Sequence, residues 1–95
     1  MKKFARRCSV TGELMNEGWV WYGGAFYAKY EKDAVNEIKN DIKEGRMDEE
    51  IEFSGIGKEE ILQMSNEDIL EWAYDYSEGE FYFTEWTEED YQFID

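Results

Sequence analysis

Ninety-five residues suffice for one domain with a modest core, and an aromatic content of 18% means that few positions are needed to fill it. A formal net charge of −14 disfavours nucleic acid and anionic membranes as partners and favours a basic one. A single cysteine, Cys8, excludes an internal disulfide, and the lack of histidine removes the usual neutral-pH base and the commonest zinc ligand.

The charge is uneven. Residues 1–46 hold nine Lys/Arg and seven Asp/Glu, whereas residues 47–95 hold one cation, Lys58, and seventeen acids. The opening "MKKFARRCSV" has no long apolar run behind it, so no signal peptide is expected. No other stretch is long and apolar enough to span a membrane, and the expected location is cytoplasmic.

In chain order, "KKFARRCSV" reads as a short edge strand and "VTGE" as a turn. "GWVWYGGAFYAKY" reads as a hairpin turning at Gly23-Gly24. Period-two alternation puts Trp19, Trp21, Phe26 and Ala28 on one side and Val20, Tyr22, Tyr27 and Lys29 on the other. "EKDAVNEIKNDIKEG" switches to helical spacing. Val35, Ile38 and Ile42 form its apolar stripe with Ala34 beside it, Glu37, Lys39, Asp41 and Lys43 lie outside, and Gly45 caps the end.

Residues 47–57 read either as a short strand on the alternation of Ile51 and Phe53 or as a loop anchored by those two side chains. "KEEILQM" is a short helical turn. "SNEDILEWAYDYSEG" is a helix with Ser65 and Asp68 placed as in a capping box, Ile69, Trp72, Ala73 and Tyr76 on its buried face, and Gly79 at its end. "EFYFTEW" is a strand with Phe81, Phe83 and Glu85 on one side and Tyr82, Thr84 and Trp86 on the other. The tail adds one helical turn or hangs loosely. The expected architecture is α+β, a small antiparallel sheet packed against two amphipathic helices. One domain spans 1–95, divided into knuckle and hairpin (1–32), helix (33–46), acidic insert with a helix (47–79), and strand with acidic tail (80–95).

Cys8-Ser9-Val10-Thr11-Gly12 has the turn of a zinc knuckle, C-x2-C-G, with threonine in place of the second cysteine. With Met15-Asn16-Glu17-Gly18 and the closing Tyr82-Phe83-Thr84-Glu85-Trp86, the chain resembles a group of small uncharacterised bacterial and phage proteins. These carry a zinc-ribbon or treble-clef-like knuckle, with a pattern of C-x2-C-G, Met-Asn-x-Gly, Tyr-x-Cys-x3-Cys and Tyr-Trp-Thr-Glu-Trp. The resemblance leaves out residues 33–80. It implies a knuckle-hairpin unit, but Thr11, Ala28 and Lys32 stand where its second, third and fourth ligands belong. No metal or cofactor is therefore expected. The turn is expected to be held by Trp19, Trp21, Phe26 and Tyr27 together with hydrogen bonds from Thr11. Cys8 is expected to be structural, since no histidine can activate it, although Arg6 and Arg7 would lower its pKa.

"SGIGKEE" lacks the spacing and the Ser/Thr of a phosphate-binding loop. "DEEIE" and "TEED" lack the alternating ligands and the glycine of a calcium loop. Among so many carboxylates no acid-base pair stands out, so a non-enzymatic binding protein is expected. In the second helix, Glu67, Glu71 and Asp75 follow at four-residue intervals as unrelieved like charges. The expected partner-binding residues are Glu67, Asp68, Glu71, Asp75, Glu78, Glu80, Glu85, Glu88, Glu89 and Asp90, with Tyr74 and Trp86 as aromatic contacts. They would engage a basic protein surface, in one reading by mimicking nucleic acid to inhibit a nucleic-acid-binding or defence protein. In the other reading they serve a general acidic adaptor or a self-associating module.

Overall fold

Chain reversal at Tyr22–Ala25 creates the hairpin around which the fold is organised. The computed structural model describes residues 2–94. Strand β4 (Glu17–Trp21) leads into this turn and β5 (Phe26–Ala28) leaves it. Strand β6 (Phe81–Glu85) pairs with the other side of β4, so a three-stranded antiparallel sheet has the order β5-β4-β6. Trp19 lies opposite Ala28 and Phe83, and Trp21 opposite Phe26 and Phe81. The expected sides of both segments therefore form one aromatic face. Trp21 meets Phe81 edge-on at 5.2 Å between centroids, and Trp19 meets Phe83 at 5.0 Å.

Helix α1 (Glu31–Lys43) lays Ala34, Val35, Ile38 and Ile42, all buried, onto this face. Acidic residues in its first turn and Lys43 in its last suit the helix dipole. Helix α4 (Asn66–Tyr76) packs beside α1 through Ile69, Leu70, Trp72 and Ala73. Half of the capping box at its start forms, with Ser65 Oγ accepting from the Asp68 N–H at 3.2 Å. Each large apolar side chain buried here contributes about 1.5–3 kcal/mol.

Two short helices lie between them in the chain, the second of them the expected helical turn of "KEEILQM". Residues 47–57 are neither strand nor loop: α2 runs from Asp48 to Ser54, followed by α3 (Lys58–Leu62). The alternation of Ile51 and Phe53 was outweighed by the four-residue spacing of Met47 and Ile51. Both reach the core, whereas Phe53 points away and is 79% exposed. Three acids in the first turn of α2 favour the helix through its dipole.

The remaining strands are short. β1 (Lys3–Phe4) pairs with β7 (Phe93–Ile94), and β2 (Arg6–Arg7) with β3 (Leu14–Met15). The tail is therefore tied down: a single 3-10 turn over Glu88–Asp90 leads into β7. The molecule measures 47 × 21 × 20 Å. No helix among the described residues is long and apolar enough to cross a membrane.

Met15-Asn16-Glu17-Gly18 joins these pieces. Met15 is buried. Asn16 accepts from the Ala5 N–H at 2.8 Å and donates to the Lys3 carbonyl at 3.1 Å, and its own carbonyl accepts from the Trp86 N–H at 2.8 Å. Gly18 has φ 157°, and a Cβ there would stand 2.5 Å from the Ala28 carbonyl oxygen and closer still to the Met15 methyl.

Asp41 was expected outside the apolar stripe and Tyr22 on the face away from Trp21; the fold overturns both. Asp41 is 1% exposed. Its Oδ2 accepts from Trp21 Nε1 and from the Tyr22 hydroxyl, each at 2.6 Å, and Oδ1 accepts from Arg46 Nε at 2.8 Å. Tyr22 leaves the strand with φ 57°, which breaks the alternation and turns its hydroxyl to the oxygen Trp21 uses. Burial pushes the Asp41 carboxyl up, but its donors, Tyr22 foremost and then Trp21 and Arg46, outweigh that and hold it below its ordinary value. Burial, with Asp41 as acceptor, raises the Tyr22 phenol well above its ordinary value.

Two outcomes are expected. Asp41→Asn should cost about 1–3 kcal/mol at neutral pH, mostly through Trp21 and Tyr22, since half-exposed Arg46 is screened. Because the folded-state pKa is depressed, the advantage of wild type is complete above the unfolded carboxylate value, about 4. It should shrink as pH falls through the lower folded value, which urea melts of both proteins across the acid range would measure. Gly18→Ala should cost at least about 2 kcal/mol in the same melts, because a backbone carbonyl has to move.

Candidate interaction surface

The expected partner-binding residues fall into two groups. Glu67, Asp68, Glu71 and Asp75 are exposed on α4, opposite its buried Ile69, Trp72 and Ala73, and Tyr74 beside them is 61% exposed. Glu78 and Glu80 continue this group, exposed, toward β6. Strand β6 then carries the chain about 16 Å onward. Glu85, Glu88 and Glu89 are exposed beyond it, and Asp90 is half-buried.

The two groups sit in different electrostatic surroundings. At the sheet end, Glu88 lines a cleft with Lys2 and Lys3, and Glu85 lies opposite Glu17 in a cleft that also holds Lys2 and Lys29. The α4 group adjoins α2, which adds Asp48, Glu49, Glu50 and Glu52. Across α2, α3 and α4 the only cation is Lys58. Among the described residues the only ion pairs are those of Arg46 with Asp41 and with Glu44. Among the described residues none of the expected partner-binding carboxylates is ion-paired.

Trp86 is not a free aromatic contact. It is half-buried, packs edge-on against Tyr27 at 5.8 Å between centroids, and carries the Arg6 guanidinium 5.1 Å above its ring. The exposed ring that sequence reasoning missed is Phe53, stacked edge-on against Tyr76 at 5.9 Å. With Glu49, Glu50 and Glu78 these two rings line a cleft of about 230 Å³. The signal was present in the four-residue spacing of Met47 and Ile51, which fixes α2 as a helix and leaves Phe53 on its outer side.

The knuckle turn is closed by hydrogen bonds. The Cys8 N–H donates to the Glu13 carbonyl at 2.7 Å, and the Gly12 N–H to the Cys8 carbonyl at 3.0 Å. Ser9 fastens the turn to β5, donating its N–H to the Tyr27 carbonyl at 2.8 Å and accepting from the Tyr27 N–H through Oγ at 3.0 Å. Thr11 contributes as expected, accepting from the Glu13 N–H at 3.2 Å. The expected aromatic ring does not form: Trp19, Trp21 and Phe26 join the core under the helices, whereas Tyr27 faces Trp86. The buried Cys8 Sγ accepts the Lys29 N–H at 3.4 Å. Burial pushes the thiol up, but Thr11, then Lys29 and Val10, outweigh it and leave the pKa below the ordinary value. Ala28 is fully buried in the core and Lys32 is exposed on α1. Among the described residues no three His, Cys, Asp or Glu side chains gather as metal ligands.

Glu71 stands one helical turn from both Glu67 and Asp75, so Glu71→Lys replaces two repulsions with two attractions. Thermal melts should show a gain of about 1–2 kcal/mol at low salt that shrinks as salt is added. No family model matches this chain, and neither a curated protein nor a solved structure shows significant similarity to it.

Proposed function

We propose that this chain is a non-enzymatic acidic binding protein whose helical end engages the basic surface of a nucleic-acid-binding or defence protein, standing in for nucleic acid. One observation carries the reading: the carboxylates of α4 and, Glu50 apart, those of α2 are exposed, and among the described residues no cation is paired to them. Glu67, Glu71 and Asp75 form a row at intervals of about 6 Å along the helix, a regular array of negative charge of the kind a basic groove binds. A Lys/Arg-rich partner relieves the repulsion within this row, which gives association a source of free energy independent of buried area.

The retained knuckle turn, with backbone N–H groups aimed at the single sulfur, supports reading the scaffold as a ligand-stripped relative of small bacterial and phage zinc-knuckle proteins. A second reading, an adaptor or self-associating module, is favoured by β6. It stands at the edge of the sheet with Phe83 49% exposed, an open template for another strand.

Competition distinguishes the two. Basic nucleic-acid-binding proteins are loaded with labelled duplex DNA and titrated with this chain. The mimic reading expects displacement from at least one of them, with an affinity that falls about tenfold or more when salt rises from about 0.05 to about 0.3 M. Glu67→Gln/Glu71→Gln/Asp75→Asn should weaken displacement without loss of folding. No displacement from any member would sink the mimic reading, and salt-insensitive binding through β6 would favour the adaptor.

A further inference from the structure

The cleft between α2 and α4 combines two recognition elements. Phe53 is 79% exposed on a helix whose one other apolar side chain, Ile51, packs against the core, and it is the outermost of three rings in contact. Trp72 lies in the core, Tyr76 packs 6.2 Å from it, and Phe53 packs 5.9 Å from Tyr76, so the exposed ring is braced from below. Glu49, Glu50 and Glu78 surround the Phe53–Tyr76 pair. Glu50 Oε2 is shielded from solvent, yet no group among the described residues donates to it. That oxygen is closed to an outside donor as it is to water, so what the cleft offers a partner is the charge of three carboxylates around an exposed ring.

We propose that this cleft anchors one arginine side chain of the basic partner, an inference that rests on the reading under Proposed function. A guanidinium is planar, so it can lie against the Phe53 ring while its edge donates to two of the carboxylates around it. Lysine offers a single strongly hydrated charge and cannot use the ring face and two carboxylates together. A volume of about 230 Å³ admits one side chain and excludes a helix or a strand. The rest of the acidic surface then supplies long-range attraction, and the cleft supplies the choice between the two basic residues.

The test uses the full chain and two blocked peptides of equal length, oligo-arginine and oligo-lysine, titrated at fixed salt by calorimetry. The ring resonances of Phe53 and Tyr76 are followed by NMR. Wild type should bind the arginine peptide more tightly and shift both rings. Phe53→Ala, an exposed substitution that spares the core, should lower arginine-peptide affinity about tenfold and abolish the preference. Phe53→Leu, which keeps the apolar contact without the ring, should abolish the preference as well. Glu67→Gln/Glu71→Gln, outside the cleft, should weaken both peptides alike and leave the preference intact. Equal binding of both peptides, unchanged by Phe53→Ala, would remove the anchor and leave the broader acidic reading standing. Failure of both peptides to bind would remove the anchor and the broader acidic reading together.

Discussion

The Asp41 carboxylate is the point on which the arrangement of sheet and helices depends. It lies near the C-terminal end of α1 and takes hydrogen bonds from the last residue of β4, from the first residue of the hairpin turn and from Arg46 just beyond α1. Hydrophobic contact is not directional, so it lets a helix slide or rotate on an aromatic face. Three hydrogen bonds from two directions to one buried carboxylate do not. Fixing the end of α1 also fixes where Met47 and α2 begin, and α2 and α3 follow from there to α4. The placement of the acidic helices thus traces back to an acid that is itself buried and satisfied.

The exposed acids follow the opposite rule. Their repulsion is tolerated because it is small per pair in water, while the apolar faces beneath them contribute more. At the sheet end, Lys2, Lys3 and Lys29 share clefts with Glu85 and Glu88, so the field there is partly cancelled locally. Chain topology produces this difference: β1 pairs with β7 and brings the basic N-terminus onto the acidic tail. Among the described residues no cation is ion-paired to the carboxylates of α2, α3 and α4. The division between residues 1–46 and 47–95 in sequence is not the division in space: β6 and the tail carry second-half acids to the mixed sheet end, and α1 carries the first-half residues Lys32, Lys39 and Lys43 into the layer packed with α4.

Much of this was legible beforehand, where one period dominated a segment. The faces of β4, β5 and β6, the stripe of α1 and the buried side of α4 follow from alternation or helical spacing over many residues. The misreadings occurred where few residues carried the pattern or a local irregularity broke it. Ile51 and Phe53 alone suggested a strand, and only the more distant Met47 identified a helix. Tyr22 continued an alternation that its positive φ interrupts. Asp41 looked like a surface charge because two of its three donors come from nineteen and twenty residues away along the chain. The uneven acidic charge was legible in composition, but which side chains are exposed was not: Trp86 is engaged by Arg6 and Tyr27, whereas α2 adds carboxylates and the exposed Phe53 ring. Which aromatic is free and which is covered is a tertiary fact that spacing does not encode.

On the reading of this scaffold as a knuckle without its metal, the insert acquires a physical purpose. A structural zinc contributes its binding free energy directly to folding of a small unit, on the order of 10 kcal/mol. The knuckle here keeps one sulfur and the turn around it, so its closure relies on Ser9, Thr11 and the backbone, which are worth far less in net terms. Residues 33–80, the part outside the resemblance, supply the helices that cover Trp21 and Phe81 and enclose Ala28 at the site of a missing ligand. On that reading a core does the work that a metal does in the proteins the chain resembles. The same insert carries the acidic surface, so on this reading the segment that stabilises the scaffold also gives it something to bind.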